Sequence, residues 1–469
     1  MLLVHPVHEV LRQIPLLIGS VVLGSATGNP MWTLFGLALI VGYGVARWFT
    51  TTYRIDSQEV RLRTGVVQRK VLSVPRNRIR SVSTDARLLH RLLGLTVLRV
   101  STGQEARGAA AFALDAVEAA QVPRLRAILL ADSLAPAVAE ASAGRELARW
   151  RPSWLRYSPL SFTGLAMILA AAGLVYQAGV GAALQNPRLA KSGLDAAERF
   201  GVVASAVVAA VALVVASVVL SVLRSLVTYG NLELRKDADV LHLEHGLLRV
   251  REHTFDMRRL RGGTLRQPLL VRLFGGARLD AVMTGVGEAR EASLLLPPCP
   301  LATAEAVLSE LIARPDAVTG PLRGHGPVAT RRRWTRALAL PAVLLIAMVA
   351  LYPWTPVWLW PALAVLTVCC AVLAFDRSRA LGHRVDTQWL VARAGSMDRR
   401  RDCIAAAGII GWTVRQTLLQ RRAGVATLTA ATAAGVKGYR VIDVPADLAW
   451  SIAATASPWV ADNDWARTT

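Results

Sequence analysis

Two hydrophobic rhythms alternate along this chain. The first is the long apolar run: stretches at roughly 13–29, 31–46, 160–181, 200–223, 337–352 and 356–375 contain no Asp, Glu, Lys or Arg. Several approach the roughly 20 residues that cross a hydrocarbon core, so the pattern predicts six transmembrane helices. They pair into three hairpins, turning near Gly28, between Gln185 and Arg199, and at Pro353. The first run is short and broken by Pro15, which suits a tilted or partly interfacial span. A cleaved signal peptide is the competing reading. No small-residue cleavage site precedes a mature domain and a second apolar run follows at once, so a retained hairpin is expected.

The second rhythm is short alternation of apolar and polar positions. Val60, Leu62 and Val66, and later Val97, Leu98 and Val100, predict short antiparallel strands with a hairpin turn at Gly65. Between them Leu88, Leu89, Leu92 and Leu93 fall on helical spacing and end at Gly94, as a helical turn with a glycine cap would. Leu114 to Leu130 reads as a closing helix in which Pro123 interrupts or restarts the turn. Later segments repeat the scheme, with strand-like runs near Val240 to Val250 and Arg278 to Met283. An amphipathic helix follows from Thr303 to Ala313, and a last proline-led helix lies in VPADLAWSIAATASPWV.

These segments are three copies of one sequence. The stretches beginning at Val60, Val240 and Trp389 each carry a glycine (Gly65, Gly246, Gly395) and, 29 residues on, a second (Gly94, Gly275, Gly424). A leucine pair precedes the second glycine in every copy (Leu88 and Leu89; Leu269 and Leu270; Leu418 and Leu419), and an arginine stands three before it (Arg91, Arg272, Arg421). Five positions agreeing at fixed offsets in three ungapped copies point to one structural unit used three times. Because all copies share them, these residues are expected to maintain the fold.

Charge then sets the orientation. The chain has 469 residues, 54 Lys plus Arg against 32 Asp plus Glu, and a net charge of +22, with a mean hydropathy of +0.40. Of the cations only Arg188, Lys191 and Arg199 fall in the hairpin turns, while clusters such as Arg331, Arg332, Arg333 and Arg336 flank the spans. The positive-inside rule places both termini and the long segments in the cytoplasm of a cell (inner) membrane. The expected organisation is hairpin 11–49, domain 50–132, linker 133–158, hairpin 159–225, domain 226–315, linker 316–335, hairpin 336–376 and domain 377–462. Trp150, Trp154 and Tyr157 are placed for a membrane interface, as are Trp334, Trp354, Trp358 and Trp360. Cys299, Cys369, Cys370 and Cys403 show neither disulfide nor zinc spacing.

The stretch YRIDSQEVRLRTGVVQRKVLSVPRNRIRSV followed by LLHRLLGLTVLRV resembles the bacterial pleckstrin-homology-like (PH-like) membrane protein family, in its multi-copy form. The resemblance covers essentially the whole chain and is weakest in copy three. The family's arginine before an aliphatic residue is Arg78 before Ile79 and Arg259 before Leu260, but Gly408 before Ile409; Pro75 corresponds to Asp256 and Ala405. The resemblance implies a mixed α and β membrane protein, in which each hairpin is followed by a seven-stranded, strongly bent antiparallel sheet with a C-terminal helix. It implies no established catalysis. Binding or scaffolding at the membrane and envelope stress are the implied roles, sometimes with a smaller single-PH-domain membrane protein as partner.

Candidate chemistry is concentrated in copy one. Arg76, Arg78 and Arg80 alternate on one strand face, with Arg61, Arg63, Arg69 and Lys70 upstream and Arg259 as the copy-two counterpart of Arg78. Such a face attracts anionic lipid at about 1 kcal/mol per residue near the surface, or else is an ordinary solvated face. His242, His245 and His253 lack a completing carboxylate or cysteine, so surface or interstrand histidines are expected rather than a metal site. Asp237 and Asp239 read as turn residues. GGTLRQP and FGGARLDAV lack the strand-to-helix setting of a phosphate loop. No nucleophile, base or metal set emerges, so neither catalysis nor a cofactor is expected. No Asp, Glu, Lys, Arg or His lies within the six runs, which argues against transport. Small residues such as Gly36, Gly42, Gly44, Ala204, Ala206 and Ala210 suit helix packing. The leading expectation is a non-enzymatic protein that binds membrane lipids or protein partners, with a homo-oligomer possible and no nucleic acid. A transporter or channel-like component of an envelope complex is the alternative.

Overall fold

The computed structural model describes residues 31, 38, 52–56, 59–64, 70–75, 79, 81–86, 91–101, 112–130, 144–161, 202–284 and 293–461. Copy one supplies β1 (Thr52–Ile55), β2 (Glu59–Thr64), β3 (Lys70–Pro75), β4 (Ser81–Ala86), β5 (Leu95–Ser101), β6 (Phe112–Glu118) and helix α1 (Val122–Leu130). Copy two opens with β7 (Arg145–Arg149). After helix α2 (Val202–Tyr229) come β8 (Glu233–Asp237), β9 (Val240–His245), β10 (Val250–Asp256), β11 (Leu260–Pro268), short helix α3 (Leu269–Leu273), β12 (Gly276–Met283), β13 (Leu294–Pro300) and α4 (Leu301–Ile312). A short helix, α5 (Pro315–Thr319), leads into the helical hairpin α6 (Gly326–Ala350) and α7 (Leu359–Ala380). Copy three follows as β14 (Gly382–Val385), β15 (Trp389–Ala394), β16 (Asp398–Ala405), β17 (Ile409–Arg415), α8 (Leu418–Arg422), β18 (Val425–Thr432), β19 (Gly438–Pro445) and α9 (Ala446–Ala456).

The hydrogen-bonded sheets do not follow the copy boundaries. Their strand orders are β1-β2-β3, β6-β5-β4-β10-β9-β8-β7, β13-β12-β11-β16-β15-β14 and β17-β18-β19. The second half of copy one therefore shares a sheet with the first half of copy two, and copies two and three are joined in the same way. At the first seam β4 runs antiparallel to β10, with Val82 opposite Thr254 and Ser83 opposite His253. At the second β11 runs antiparallel to β16, with Gly263 opposite Cys403 and Thr264 opposite Asp402. Counted from Gly65, Gly246 and Gly395, these are the same positions, so both seams have one register. Copy two contributes the seven strands β7 to β13, but they lie in two sheets rather than one self-contained sheet.

The chain forms two compact units, one combining the described residues up to Arg149 with Val227–Arg259, the other holding Trp150–Leu226, Leu260–Thr284 and the described residues from 293 onward. The core of the first gathers Val60, Val74, Ile79, Val82, Leu98, Leu114 and Leu129. That of the second gathers Ile404, Leu428, Tyr439, Val441, Val444 and Ile452 around β15 to β19 and α9. Alternation along β18, where Ala426, Leu428 and Ala430 turn inward, is the pattern that makes these residues strands.

Several expectations change. α6 and α7 are each long and apolar enough to cross a membrane. The fourth predicted span falls almost wholly within α2, of which Val214–Tyr229 is apolar, and the first three lie outside the described residues apart from helical Met31 and Ala38 and from Leu160 and Ser161 in a 3-10 turn. Leu114 to Leu130 is not one helix, since its first part is β6. Leu114 and Val117 have helical spacing because a register shift against β5 adds a residue between them, which lets both enter the core. The linker 133–158 contains β7, paired to β8, and a 3-10 turn over Pro152–Tyr157. Trp154 and Tyr157 are buried there instead of facing a membrane interface. A Cβ on Gly276 would lie 2.5 Å from the Tyr157 ring, so the tyrosine occupies space that only glycine leaves. The linker 316–335 likewise contains most of α5 and the first turns of α6.

Candidate membrane-facing site

The repeat motif has one geometry in all three copies. Gly94, Gly275 and Gly424 have φ of +66°, +71° and +62°, a region in which a side chain is strained and glycine is not. Each donates its N–H to the carbonyl of the motif arginine, Arg91, Arg272 or Arg421, at 3.1, 2.9 and 3.2 Å. Each accepts at its own carbonyl from the residue that starts the closing helical segment, Ala119, Leu301 or Ala446, at 2.8, 3.0 and 3.0 Å. One glycine thus fixes both the end of a short helix and the start of the last one.

The described leucines of the motif do not fill the core. Leu269 and Leu270 are half-buried, and Leu418 and Leu419 are 79% and 64% exposed. At the tip of α3, Leu273 and Phe274 are also largely exposed, as are Leu92 and Leu93 in copy one. The short helices therefore present apolar side chains outward.

Two carboxylates fasten α3 and α8 to the helical hairpin. Asp376, near the end of α7, receives hydrogen bonds from Arg272 of α3 at 2.8 Å, from Ser396 at 2.8 Å and from Arg399 of β16 at 2.6 Å. Met397, in the turn between β15 and β16, accepts from the Leu269 N–H at 2.7 Å. On β19 the fully buried Asp443 lies 3.2 Å from Arg332 and 2.7 Å from Arg333, both on α6. Gln420 of α8 donates to the same carboxylate at 2.8 Å. Thr417 and Gln420 form a capping box at the start of α8, which orients Gln420 toward Asp443.

The end of the hairpin so engaged carries the exposed Arg331, Arg336, Arg377 and Arg379, and α8 adds Arg421 and Arg422. Beyond it, Leu340, Val343 and Ile346 of α6 and Val365, Val368 and Val372 of α7 are exposed. Apolar tips beside guanidinium groups at the base of an apolar hairpin form an amphipathic surface suited to headgroups and the acyl boundary beneath them.

The residues singled out from sequence are placed as follows. Arg69, Arg76, Arg78, Arg80, Gly65, Leu88 and Leu89 lie outside the described residues, and Lys70 is described by its strand backbone alone. Arg61 and Arg63 are exposed on β2, with Arg61 paired to Glu59. Arg259 sits 3.5 Å from Asp256. Gly408, where copy three lacks the family arginine, faces Arg261: a Cβ there would be 2.9 Å from its side chain. Gly246 and Gly395 occupy positive-φ turns. His245 lies 2.8 Å from the Thr228 carbonyl through Nδ1, and His253 stacks between His245 and Phe255. Among the described residues no three His, Cys, Asp or Glu side chains cluster as metal ligands. Cys299 and Cys403 are buried, and burial pushes both thiols up to about 12.

Sequence reasoning missed Asp376 and Asp443. Asp376 had a signal, an acid directly after an apolar run with arginines following in FDRSR. Asp443 had none, because its charged partners, Arg332 and Arg333, lie more than a hundred residues earlier in the chain. A cleft of about 520 Å³ between β14 and α9 is lined by Arg323, His383, Arg384 and Ser451, but Arg384 is already bound to the Asp316 carbonyl at 3.1 Å.

Residues 9–133, 188–314 and 336–457 each match the family described as bacterial PH domain. The chain belongs to that family. The third PH domain match begins inside α6 and runs through α9, so hairpin and sheet form one unit. β7 lies outside the second match, although it pairs within that domain's sheet. No curated protein and no solved structure matches the chain.

Proposed function

We propose that this bacterial PH-domain protein is a non-enzymatic, multi-pass membrane scaffold whose short helices press an apolar and cationic rim against anionic lipid on the cytoplasmic face. The observation that carries the reading is the exposure of Leu273, Phe274, Leu418 and Leu419 on helices tied through Asp376 and Asp443 to the arginine-rich end of α6 and α7. Apolar side chains left in water there forgo about 25 cal/mol for each Å² that lipid would cover. Each nearby guanidinium adds about 1 kcal/mol at an anionic surface. The protein-binding capacity of PH domains is compatible with the same reading, because the rim occupies the short helices and leaves strand edges for partners.

Hydrogen exchange of the whole protein in nanodiscs tests this. Amides of α3 and α8 are expected to exchange more slowly in phosphatidylglycerol than in phosphatidylcholine nanodiscs, and the double variant Leu418→Ser with Leu419→Ser is expected to lose that difference in α8. Equal exchange of the wild type in the two lipids would sink the reading.

A further inference from the structure

Strand edges carry the next step. Among strands, β17 is copy three's counterpart of β4 and β11, and β3 is copy one's counterpart of β10 and β16. β4, β10, β11 and β16 are each paired on both sides, whereas among the described residues β17 pairs only with β18 and β3 only with β2. Among the described residues neither has the cover that pairing on a second side brings. Gly262, Gly263, Thr264 and Leu265 of β11 are buried, while their counterparts Gly411, Trp412 and Val414 are half-buried and Thr413 is exposed. Ile410 is 69% exposed. On β3, Val71 and Leu72 are exposed, and so is Ser73, although its counterparts Thr254 and Cys403 are buried at the seams. A strand edge flanked by exposed apolar side chains is a template for another strand.

We infer that β17 of one molecule receives β3 of a second copy of this chain, antiparallel and in the register of the two intrachain seams. Transferring that register sets Lys70 opposite Arg415, Val71 opposite Val414, Leu72 opposite Thr413, Ser73 opposite Trp412 and Val74 opposite Gly411. Val71 then packs beside Val414, giving both the apolar cover they lack. Pro75 has no N–H to contribute, and it falls beyond the paired stretch, as Asp256 and Ala405 do at the existing seams. Lys70 against Arg415 is the one unfavourable pair, at the open end of the ladder. The contact uses different surfaces on its two sides, so it is head-to-tail and extends into a ring or a filament. A two-fold contact of β17 with itself would leave β3 uncovered and depart from both seams. The inference does not depend on lipid binding.

Crosslinking in native membranes tests it with the full chain, carrying Cys369→Ala and Cys370→Ala to silence the hairpin thiols. One tagged form carries Leu72→Cys and a second, differently tagged form carries Thr413→Cys; a short bis-maleimide is added. The expected product carries both tags, and adding Val71→Lys and Val414→Lys abolishes it by opposing like charges across the ladder. Light scattering of the detergent-extracted wild type is expected to show a mass above the monomer, with the lysine pair reverting to the monomer at unchanged circular dichroism. The inference is overturned by absence of the mixed product, by Thr413→Cys crosslinking to itself in preference, or by capture of a different protein at either position.

Discussion

The two seams share a register and solve the same problem with opposite electrostatics. At β4 and β10 the carboxylate held by guanidinium groups belongs to the first strand: Asp85, almost wholly buried, is gripped by Arg249 and lies 3.1 Å from Arg99, while Glu252 of the second strand accepts from Thr84 at 3.3 Å. Burial pushes the Asp85 carboxyl up, and the two guanidiniums outweigh that, leaving it below the ordinary value. At β11 and β16 the carboxylate belongs to the second strand: Asp402 accepts from Thr264 at 2.7 Å. Burial there pushes it up to about 6, against the partial relief of that hydrogen bond and of Arg400. The lesson is that backbone pairing fixes where copies meet, while the charges across the meeting line are free to diverge. A carboxylate with arginines strengthens one seam at neutral pH, and a carboxylate with a threonine burdens the other.

The comparison can be broken most severely at the second seam's backbone. Gly262 has φ +136°, and a Cβ there would sit 1.8 Å from the Cys403 carbonyl oxygen of the partner strand. Gly262→Ala is expected to cost at least about 3 kcal/mol, read as faster hydrogen exchange throughout β11 and β16 with β4 and β10 unchanged. Next comes Arg249→Met, which leaves the buried Asp85 leaning on Arg99. The full cost of orphaning a buried charge is reduced because Arg249 is one-third exposed, so about 2 kcal/mol is expected, confined to β4 and β10. Equal losses at both seams would show that the register is not locally held.

The smallest effect concerns pH. A carboxyl raised in the folded state holds its proton more tightly folded than unfolded, so its contribution to stability is greatest below 3.8 and declines as pH rises through about 6. Asp402→Asn is expected to remove that decline and to stabilise β11 and β16 at neutral pH. Asp85 has the opposite sign: its stabilisation is present above the ordinary carboxylate value and disappears as pH falls. A pH series of exchange rates in wild type and Asp402→Asn separates the two.

Much of the fold was legible because local rules wrote it. The glycine offsets marked three copies, and the hydrogen bonds of Gly94, Gly275 and Gly424 explain the three-residue spacing from the arginine to each. Proline-led starts located α4 and α9 to within a few residues. What could not be read was pairing between copies: nothing local to Thr84 announces Glu252 across the ladder, 3.3 Å away and 168 residues on. The exposure of Leu418 and Leu419 could not be read for a related reason, since helical spacing tells which side chains share a face and not what that face meets. Tyr157 went the other way, an aromatic next to an apolar run for which Gly276 of another element leaves room inside. The arginine-rich hairpin of copy one stands out by composition, whereas Asp376 draws its partners from α3, β16 and the turn before β16, and Asp443 from α6 and α8.

Gly408 marks where the two seams part company in their packing. Where copies one and two have an arginine, copy three has a glycine that leaves room for Arg261 of its neighbour. The first seam carries arginine at both corresponding positions, Arg80 and Arg259. One register therefore serves two different sets of side chains, and exchanging one copy for another would ask a single arginine to repack rather than the strands to part.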